Sequence, residues 1–220
     1  MIYTVISTLG ENRIDEIKRD CRIIRQPLIL QGEIAEYVND AKNEDSRAER
    51  RLAYSTLLCA LKSFYNVENP RIAVNEYGKP YIADCGLYFN LSHSDGSVAV
   101  CISDEGEVGI DIQSEIDPER AERLQRRFFT DLSVKSENIG GKYYFCRLLD
   151  NEAELCEIIL PAADDSFTTK WALAESLMKM HGRGFADAST VGNLVSEAKS
   201  EIRKISNYTI AISVRRKARV

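Results

Sequence analysis

The chain has 220 residues, which is enough for one large domain or for two small domains that each bury a core. Its formal net charge of -5 argues against a general nucleic-acid binder, because such proteins need a basic face to displace counterions from phosphates. Hydrophobic residues make up 44% and charged residues 29%, as in ordinary folded chains, and no apolar run is long enough to span a membrane.

The cysteines indicate neither a metal–thiolate site nor a disulfide framework. They are scattered, without a C-x-x-C pair or a histidine at zinc-ligand spacing: Cys21, Cys59, Cys85, Cys101, Cys146 and Cys156. The N-terminus has neither the basic region nor the apolar run of a signal peptide. We therefore expect a cytoplasmic protein that binds neither nucleic acid nor a membrane.

The first half opens with a strand and continues to a long helix. β-Branched residues predict the strand at Ile2–Ser7, whereas residues 12–43 have no clear pattern. Apolar residues then recur at helical spacing, which predicts a helix capped by Asp45 or Ser46. Three arginines lie on its first turns: Arg47, Arg50 and Arg51. Such a cluster is more often a solvated face than a binding site.

Short strands and turns follow the helix. The predicted strands are Ile72–Val74, Tyr81–Ile82, Phe89–Leu91 and Val98–Ile102. In the third of these, the pleat carries His93 to the same side as Phe89 and Leu91. A lone histidine on an apolar face is usually a structural residue, unless the strand ends at Ser92.

The next strand has one apolar face and one polar face. The two alternating sets are Val108, Ile110 and Ile112 on one side, and Gly109, Asp111 and Gln113 on the other. Gly109 removes bulk beside Asp111, so that a ligand or another backbone can approach. Asp111 and Gln113 offer oxygen ligands suited to Mg²⁺. Taken alone, the pattern more often marks a half-buried strand with two solvated polar residues.

The second half repeats the alternation of helices and strands. It predicts, in order, a helix from Asp117-Pro118, a loop over Lys135–Lys142, a helix over Phe167–His181, a strand over Tyr208–Val214 and a frayed basic tail. Glu175 and Lys179 lie four residues apart on one helix face, where such a pair is by itself a surface ion pair. The recurrence of helices and strands allows a duplicated α+β architecture.

Four fragments occur together in one order: Tyr77–Pro80 (YGKP), Phe89–Ser94 (FNLSHS), Val108–Asp111 (VGID) and Trp171–Lys179 (WALAESLMK). Together they resemble the 4′-phosphopantetheinyl transferases of the surfactin-synthetase-activating class, with likeness from about Arg50 to Val214. The resemblance implies an α+β fold of two similar halves, residues 1–104 and 105–220, related by pseudo-twofold symmetry. It also implies a monomer that uses Mg²⁺ and transfers phosphopantetheine from coenzyme A to a serine of an apo acyl or peptidyl carrier protein, releasing adenosine 3′,5′-bisphosphate.

The resemblance also implies roles for individual residues. Asp111 and Glu175 match metal-binding carboxylates, Glu175 being also a candidate base, and Gln113 takes the third metal position. Lys179 matches a lysine that steadies the pyrophosphate. Four residues match coenzyme A-binding positions: Arg50, Lys79, Ser92 and His93, the histidine being associated with the 3′-phosphate. Arg51 is the next choice after Arg50.

The chain departs from the family pattern at several positions. Gln113 stands where family members often have an acidic residue, so that two carboxylates alone can be the charged metal ligands. Ala174 stands where many have lysine, and the region of residues 34–38 lacks the basic residues of some relatives. The departures at Gln113 and Ala174 keep open a non-catalytic homologue that binds coenzyme A or carrier protein. A different Mg²⁺-dependent phosphotransferase is the other alternative, although the chain has no G-x-x-x-x-G-K-[ST] phosphate loop.

Overall fold

A computed structural model describes residues 1–9, 19–27, 30–128, 136–149, 151–184 and 191–216, with backbone only for 19–27 and 127–128. The described strands are β1 (Ile2–Thr8), β2 (Arg19–Pro27), β3 (Ile72–Val74), β4 (Pro80–Ile82), β5 (Tyr88–Ser94), β6 (Ser97–Ser103), β7 (Val108–Ser114), β8 (Lys142–Leu149), β9 (Glu152–Ile158), β10 (Ala198–Ile205) and β11 (Tyr208–Arg215). The described helices are α1 (Gly32–Asn39), α2 (Glu44–Tyr65), α3 (Pro118–Phe128), α4 (Phe167–His181) and α5 (Val191–Glu197).

The described strands form two main sheets and one short hairpin. The larger sheet has the order β2-β9-β8-β1-β6-β5, the smaller has the order β10-β11-β7, and β3 pairs with β4. β1 is antiparallel to β6 and parallel to β8, so β8 and β9 join a sheet whose other members include β1, β5 and β6. The predicted α+β class is confirmed. The division at residue 104 and the pseudo-twofold symmetry stay predictions.

α2 packs against the larger sheet through one apolar face. Leu57, Ala60 and Leu61 are fully buried there, in a core that also contains residues of β1, β6 and β8. The predicted cap is wrong, because the side chain of Asn43 accepts the hydrogen bond from the backbone N–H of Ser46 at 2.7 Å. An asparagine in this position satisfies an N–H that the first helical turn leaves without a partner.

The predicted helix over residues 167–181 is confirmed as α4, which packs on β7 and β11. The Ser166 side chain caps its start, and Gly182 ends it in the left-handed conformation at φ 85°. A Cβ atom on Gly109 would lie 2.0 Å from the carbonyl oxygen of Ser176 and 2.3 Å from the backbone nitrogen of Met180. The expected approach of another backbone to Gly109 is therefore confirmed, and that backbone belongs to α4.

β7 has one apolar face and one polar face. Val108, Ile110 and Ile112 pack with residues of the larger sheet, including Ile6 and Ala99. The opposite face, which carries Asp111, turns towards α4. The alternation of the sequence thus predicts correctly that one face of β7 is buried against apolar residues.

Several predicted segments are confirmed and others were missed. The helix from Pro118 and the strands near residues 2–7, 72–74, 81–82, 89–91, 98–102 and 208–214 are present. The sequence did not predict β2, α1, β8, β9, α5 or β10. The expected loop holds over residues 136–141, whereas Lys135 and the end of the basic tail, residues 217–220, lie outside the described residues. Among the described helices, none is both long and apolar enough to cross a membrane.

Candidate functional site

The site lies where β5, an edge strand of the larger sheet, meets β7, an edge strand of the smaller sheet. Polar side chains of β5 join the two strands. The backbone N–H of Ile110 donates to Asn90 Oδ1 at 2.9 Å, and the N–H of Ser114 donates to Ser94 Oγ at 3.1 Å. Between them, Ser92 Oγ donates to Asp111 Oδ1 at 2.8 Å. Alternate residues of β5 therefore bind the otherwise unpaired edge of β7 and hold Asp111 at the junction.

Four of the predicted site residues converge at this junction. Lys179 Nζ donates to Asp111 Oδ1 at 2.6 Å and to Ser92 Oγ at 2.8 Å, and it lies 3.7 Å from Glu175 Oε2. Asp111 is only 2% exposed. The i,i+4 spacing on α4 places Glu175 and Lys179 on one helix face, and Gly109 allows that helix to lie close to β7. The interpretation of this pair as a simple surface ion pair is therefore wrong.

The proton affinity of Glu175 is unusual. Burial and the neighbouring Asp111 carboxylate raise its pKa to about 7, against the opposing effect of the Lys179 ammonium group. The Glu175 side chain is 19% exposed, so it remains accessible from solvent. A carboxylate with a pKa near neutrality can accept a proton more readily than an ordinary glutamate and release it again.

The junction brings two carboxylates, of Asp111 and Glu175, around the Lys179 ammonium group. Asp111 Oδ2 is buried and has no hydrogen-bond partner in the described structure, although buried carboxylate oxygens are normally paired. Two carboxylates, from Asp111 and Glu175, suit the preference of Mg²⁺ for a small number of carboxylate ligands. Within the described residues there is no group of three or more His, Cys, Asp and Glu residues that could hold a metal. The unpartnered Asp111 Oδ2 and the chemistry of two carboxylates are the features that fit a divalent cation.

Gln113 and Ala174, two of the departures from the family pattern, are both buried. Gln113 lies two residues beyond Asp111 on the same face of β7, and its Nε2 atom donates to the carbonyl oxygen of Ser114 at 3.1 Å. Ala174 is 2% exposed and packs in the apolar core under α4. The charged end of a lysine side chain at position 174 would have to extend out of that core, because burial of an unpaired charge is unfavourable. Alanine therefore suits the packing around this helix.

Lys79 lies at the other end of the contact between β7 and α4. Its Nζ atom donates to Glu107 Oε2 at 2.7 Å, to the carbonyl oxygen of Met180 at 3.1 Å and to that of Val108 at 3.4 Å. Burial lowers the pKa of Lys79, although Glu107 acts in the opposite direction. These contacts tie the β3–β4 hairpin to both elements that carry the site carboxylates.

The two residues predicted for the 3′-phosphate do not contact the Asp111 cluster. Arg50 donates to the carbonyl oxygen of Tyr37 at 3.0 Å and lies over the Tyr37 ring, 4.4 Å from its centroid. The alternative, Arg51, lines a separate cavity of about 470 Å³ with residues of α1, α2, β8 and β9. The two neighbouring arginines therefore lie in different surroundings.

His93 is exposed, and the expectation that a continuing strand would bury it is wrong. β5 continues to Ser94, yet the His93 side chain is 63% exposed, and its Nδ1 atom lies 3.1 Å from Glu49 Oε2. β5 extends past the apolar residues of α2. His93, on the face of β5 that buries Phe89, therefore meets the Glu49 carboxylate instead of an apolar side chain. Glu49, Asn90, Ser94 and Glu107 were missed by sequence reasoning, although the polar alternation at residues 90, 92 and 94 was visible.

The comparisons with known proteins find relatives that share one activity in their names. Residues of this chain are 47% identical over 68 residues to the 4′-phosphopantetheinyl transferase AcpT of Escherichia coli K12, covering 30% of this chain and 33% of AcpT. The match to 4′-phosphopantetheinyl transferase gsp of Aneurinibacillus migulanus is 35% over 119 residues, covering 53% and 40%. That to Sfp of Bacillus subtilis is 31% over 120 residues, covering 53% and 43%.

The matched region covers less than half the length of each of these relatives. No protein-family model matches the chain. The curated relatives are nevertheless transferases of the kind that the four fragments indicated. The resemblance of this chain to the 4′-phosphopantetheinyl transferases is thereby confirmed over about half of its residues.

Proposed function

We propose that this protein transfers the 4′-phosphopantetheine group of coenzyme A to a serine hydroxyl of an apo acyl or peptidyl carrier protein. The observation that carries the proposal is the convergence of Asp111, Glu175, Lys179 and Ser92 at the β5–β7 junction. The names of the relatives supply the chemistry, and the geometry supplies residues suited to it. We propose further that the protein acts as a cytoplasmic monomer. Free thiols at all five cysteines whose side chains are described fit a reducing compartment.

The cation would be held by Asp111 and Glu175. Mg²⁺ bound there would gather the negative charge that develops on the pyrophosphate as its bond breaks. The unpartnered Asp111 Oδ2 supports this assignment, since a divalent cation would satisfy it. Gln113 has a carboxamide rather than a carboxylate, so we assign it an outer position that orients a water molecule rather than a direct ligand.

The chain's own residues can move the proton and hold the leaving group. The carrier serine oxygen forms a bond to the phosphorus that bears the pantetheine arm, and the bond from that phosphorus to the bridging pyrophosphate oxygen breaks. Glu175 accepts the serine proton, directly or through water, and its side chain, 19% exposed, is accessible for that role. Lys179 presents its ammonium group to the pyrophosphate, so adenosine 3′,5′-bisphosphate leaves from beside a cation.

The remainder of coenzyme A would extend along β5 and towards α2. We assign Ser92 to the donor site, and His93 and Arg50 to its 3′-phosphate, as the resemblance implies. The exposed imidazole of His93 supports this, because it is open to an incoming anion. Glu49 beside Nδ1 leaves the other ring nitrogen, Nε2, to face the ligand.

The test is transfer from a fluorescent coenzyme A to several apo carrier proteins, with Mg²⁺ and with the metal removed. We expect label on at least one carrier protein, with Mg²⁺ required. Gln113→Ala should retain most of the transfer, whereas Glu175→Ala should lose most of it. Binding of coenzyme A without label on any carrier would contradict the proposal and favour a non-catalytic homologue.

A further inference from the structure

The β3–β4 hairpin contacts both elements that carry the site carboxylates through the half-buried ammonium group of Lys79. Val108, whose carbonyl oxygen accepts from Lys79, begins β7 three residues before Asp111. Met180, which also accepts from Lys79, follows Lys179 directly on α4. Lys79 therefore bridges β7 and α4 at the ends nearest the hairpin, while Asp111 and Lys179 bridge the same two elements deeper in the junction.

The three acceptors match the full donor capacity of the lysine. An ammonium group has three N–H bonds and no acceptor, and Glu107 and the two carbonyl oxygens together accept three. The Lys79 side chain is only 12% exposed. While these bonds persist, none of its N–H groups remains for a phosphate of the donor.

The hairpin is built to hold this lysine in place. Asn75 Oδ1 accepts from the backbone N–H of Lys79 at 2.8 Å and from that of Tyr77 at 3.0 Å, which fixes the turn. Asn75 Nδ2 also reaches the carbonyl oxygen of Gly182, and a Cβ on Gly182 would lie 3.1 Å from Lys79 Cδ. The last carbonyl groups of a helix lack helical hydrogen-bond partners and interact favourably with positive charge. The hairpin supplies the end of α4 with hydrogen-bond donors from Asn75 and Lys79 and with the positive charge of Lys79.

We propose that Lys79 is a positioning residue that fixes the separation of β7 and α4, and thereby that of Asp111 and Glu175. The inference rests on the proposed function for the identity of these carboxylates as the metal ligands. It replaces the direct contact with coenzyme A that the resemblance implies for Lys79, because the effect of Lys79 on the donor then passes through the metal site. Glu107, which no motif marks, is its partner in this role.

The test compares Mn²⁺ binding, without coenzyme A, in the full chain and its Lys79→Met and Glu107→Gln variants. Free Mn²⁺ is measured by electron paramagnetic resonance. We expect each variant to bind Mn²⁺ about 10-fold more weakly, the scale found when residues that support metal ligands are removed. The matched controls are Lys62→Met and Glu68→Gln, an ion pair between the last turn of α2 and the segment that follows it. They should leave Mn²⁺ binding unchanged even where they lower stability.

Steady-state kinetics then separate positioning from direct binding of the donor. A positioning role lowers kcat in Lys79→Met and Glu107→Gln at saturating coenzyme A, whereas a direct contact raises KM for coenzyme A in Lys79→Met alone. A rise in KM alone, with Mn²⁺ binding unchanged, would overturn the inference.

Urea unfolding of the two single variants and the double variant gives a result that does not depend on the metal. The double variant should be no less stable than the less stable single variant, since either change breaks the same contact. Strictly additive losses would refute the contact. A parent that fails to bind Mn²⁺ while this coupling holds would contradict the metal site of the proposed function and leave the hairpin contact supported.

Discussion

Replacing Gly109 by alanine should separate the two elements that form the site. The added Cβ would lie 2.0 Å and 2.3 Å from backbone atoms of Ser176 and Met180, and real Cβ contacts essentially never fall under 3.0 Å. β7 and α4 must therefore move apart by about 1 Å, because neither neighbour is a side chain that can rotate away. Overpacking of this kind typically costs about 1–3 kcal/mol, and the rigid backbone on both sides places Gly109→Ala at about 3 kcal/mol or more.

Urea unfolding measures this loss, and Gly192→Ala is the matched control. Gly192 lies in α5 with no atom within 4 Å of an added Cβ and without a positive φ. Alanine there should be neutral or stabilise the protein by about 0.5–1 kcal/mol, because it restricts the unfolded chain. An unfolding free energy for Gly109→Ala within about 0.5 kcal/mol of the parent would refute the close approach of α4 to β7.

Three further changes test separate parts of the account. In metal-free protein, the raised pKa of Glu175 makes the free energy of unfolding depend on pH. Its contribution is fully present below about pH 4.5 and is lost as the pH rises to about 7, a decrease of about 3 kcal/mol. Glu175→Gln should remove this decline in unfolding experiments, and an unchanged pH profile would contradict the burial of the carboxylate. Asn90→Ala leaves the buried N–H of Ile110 without its partner and should cost about 1–3 kcal/mol in urea unfolding, whereas a neutral effect would show that β5 does not bind the edge of β7. Arg50→Ala and His93→Ala should each weaken coenzyme A binding by about 1–3 kcal/mol and lose the preference over dephospho-coenzyme A, measured by calorimetry; variants that keep the full preference would remove both residues from the 3′-phosphate site.

Local periodicity predicted the elements that carry the site. The alternation around Asp111 marked β7 and its two faces, and helical spacing marked α4 with Glu175 and Lys179 on one face. The glycine at position 109 indicated a close approach without naming the neighbour. Family resemblance, rather than periodicity, brought β7 and α4 together as one site.

The remaining features depend on contacts between distant parts of the chain. β8 pairs in parallel with β1 across more than 130 residues, and no local pattern in either strand specifies that partner. The pleat correctly put His93 on the side of Phe89, but it does not reveal where the apolar part of α2 ends and Glu49 begins. The contacts of Lys79 likewise join a turn to a strand and a helix that the sequence leaves far apart.

The most direct test of the proposed function is the mass of an apo carrier protein after incubation with coenzyme A, Mg²⁺ and either the parent or Asp111→Asn. Asparagine keeps the size of the side chain but removes the charge that would hold the cation. We predict that the parent increases the carrier mass by one phosphopantetheine group, and that Asp111→Asn or removal of the metal abolishes the increase. Full modification of the carrier by Asp111→Asn, or by the parent without metal, would contradict a cation held by Asp111 and Glu175 at the β5–β7 junction.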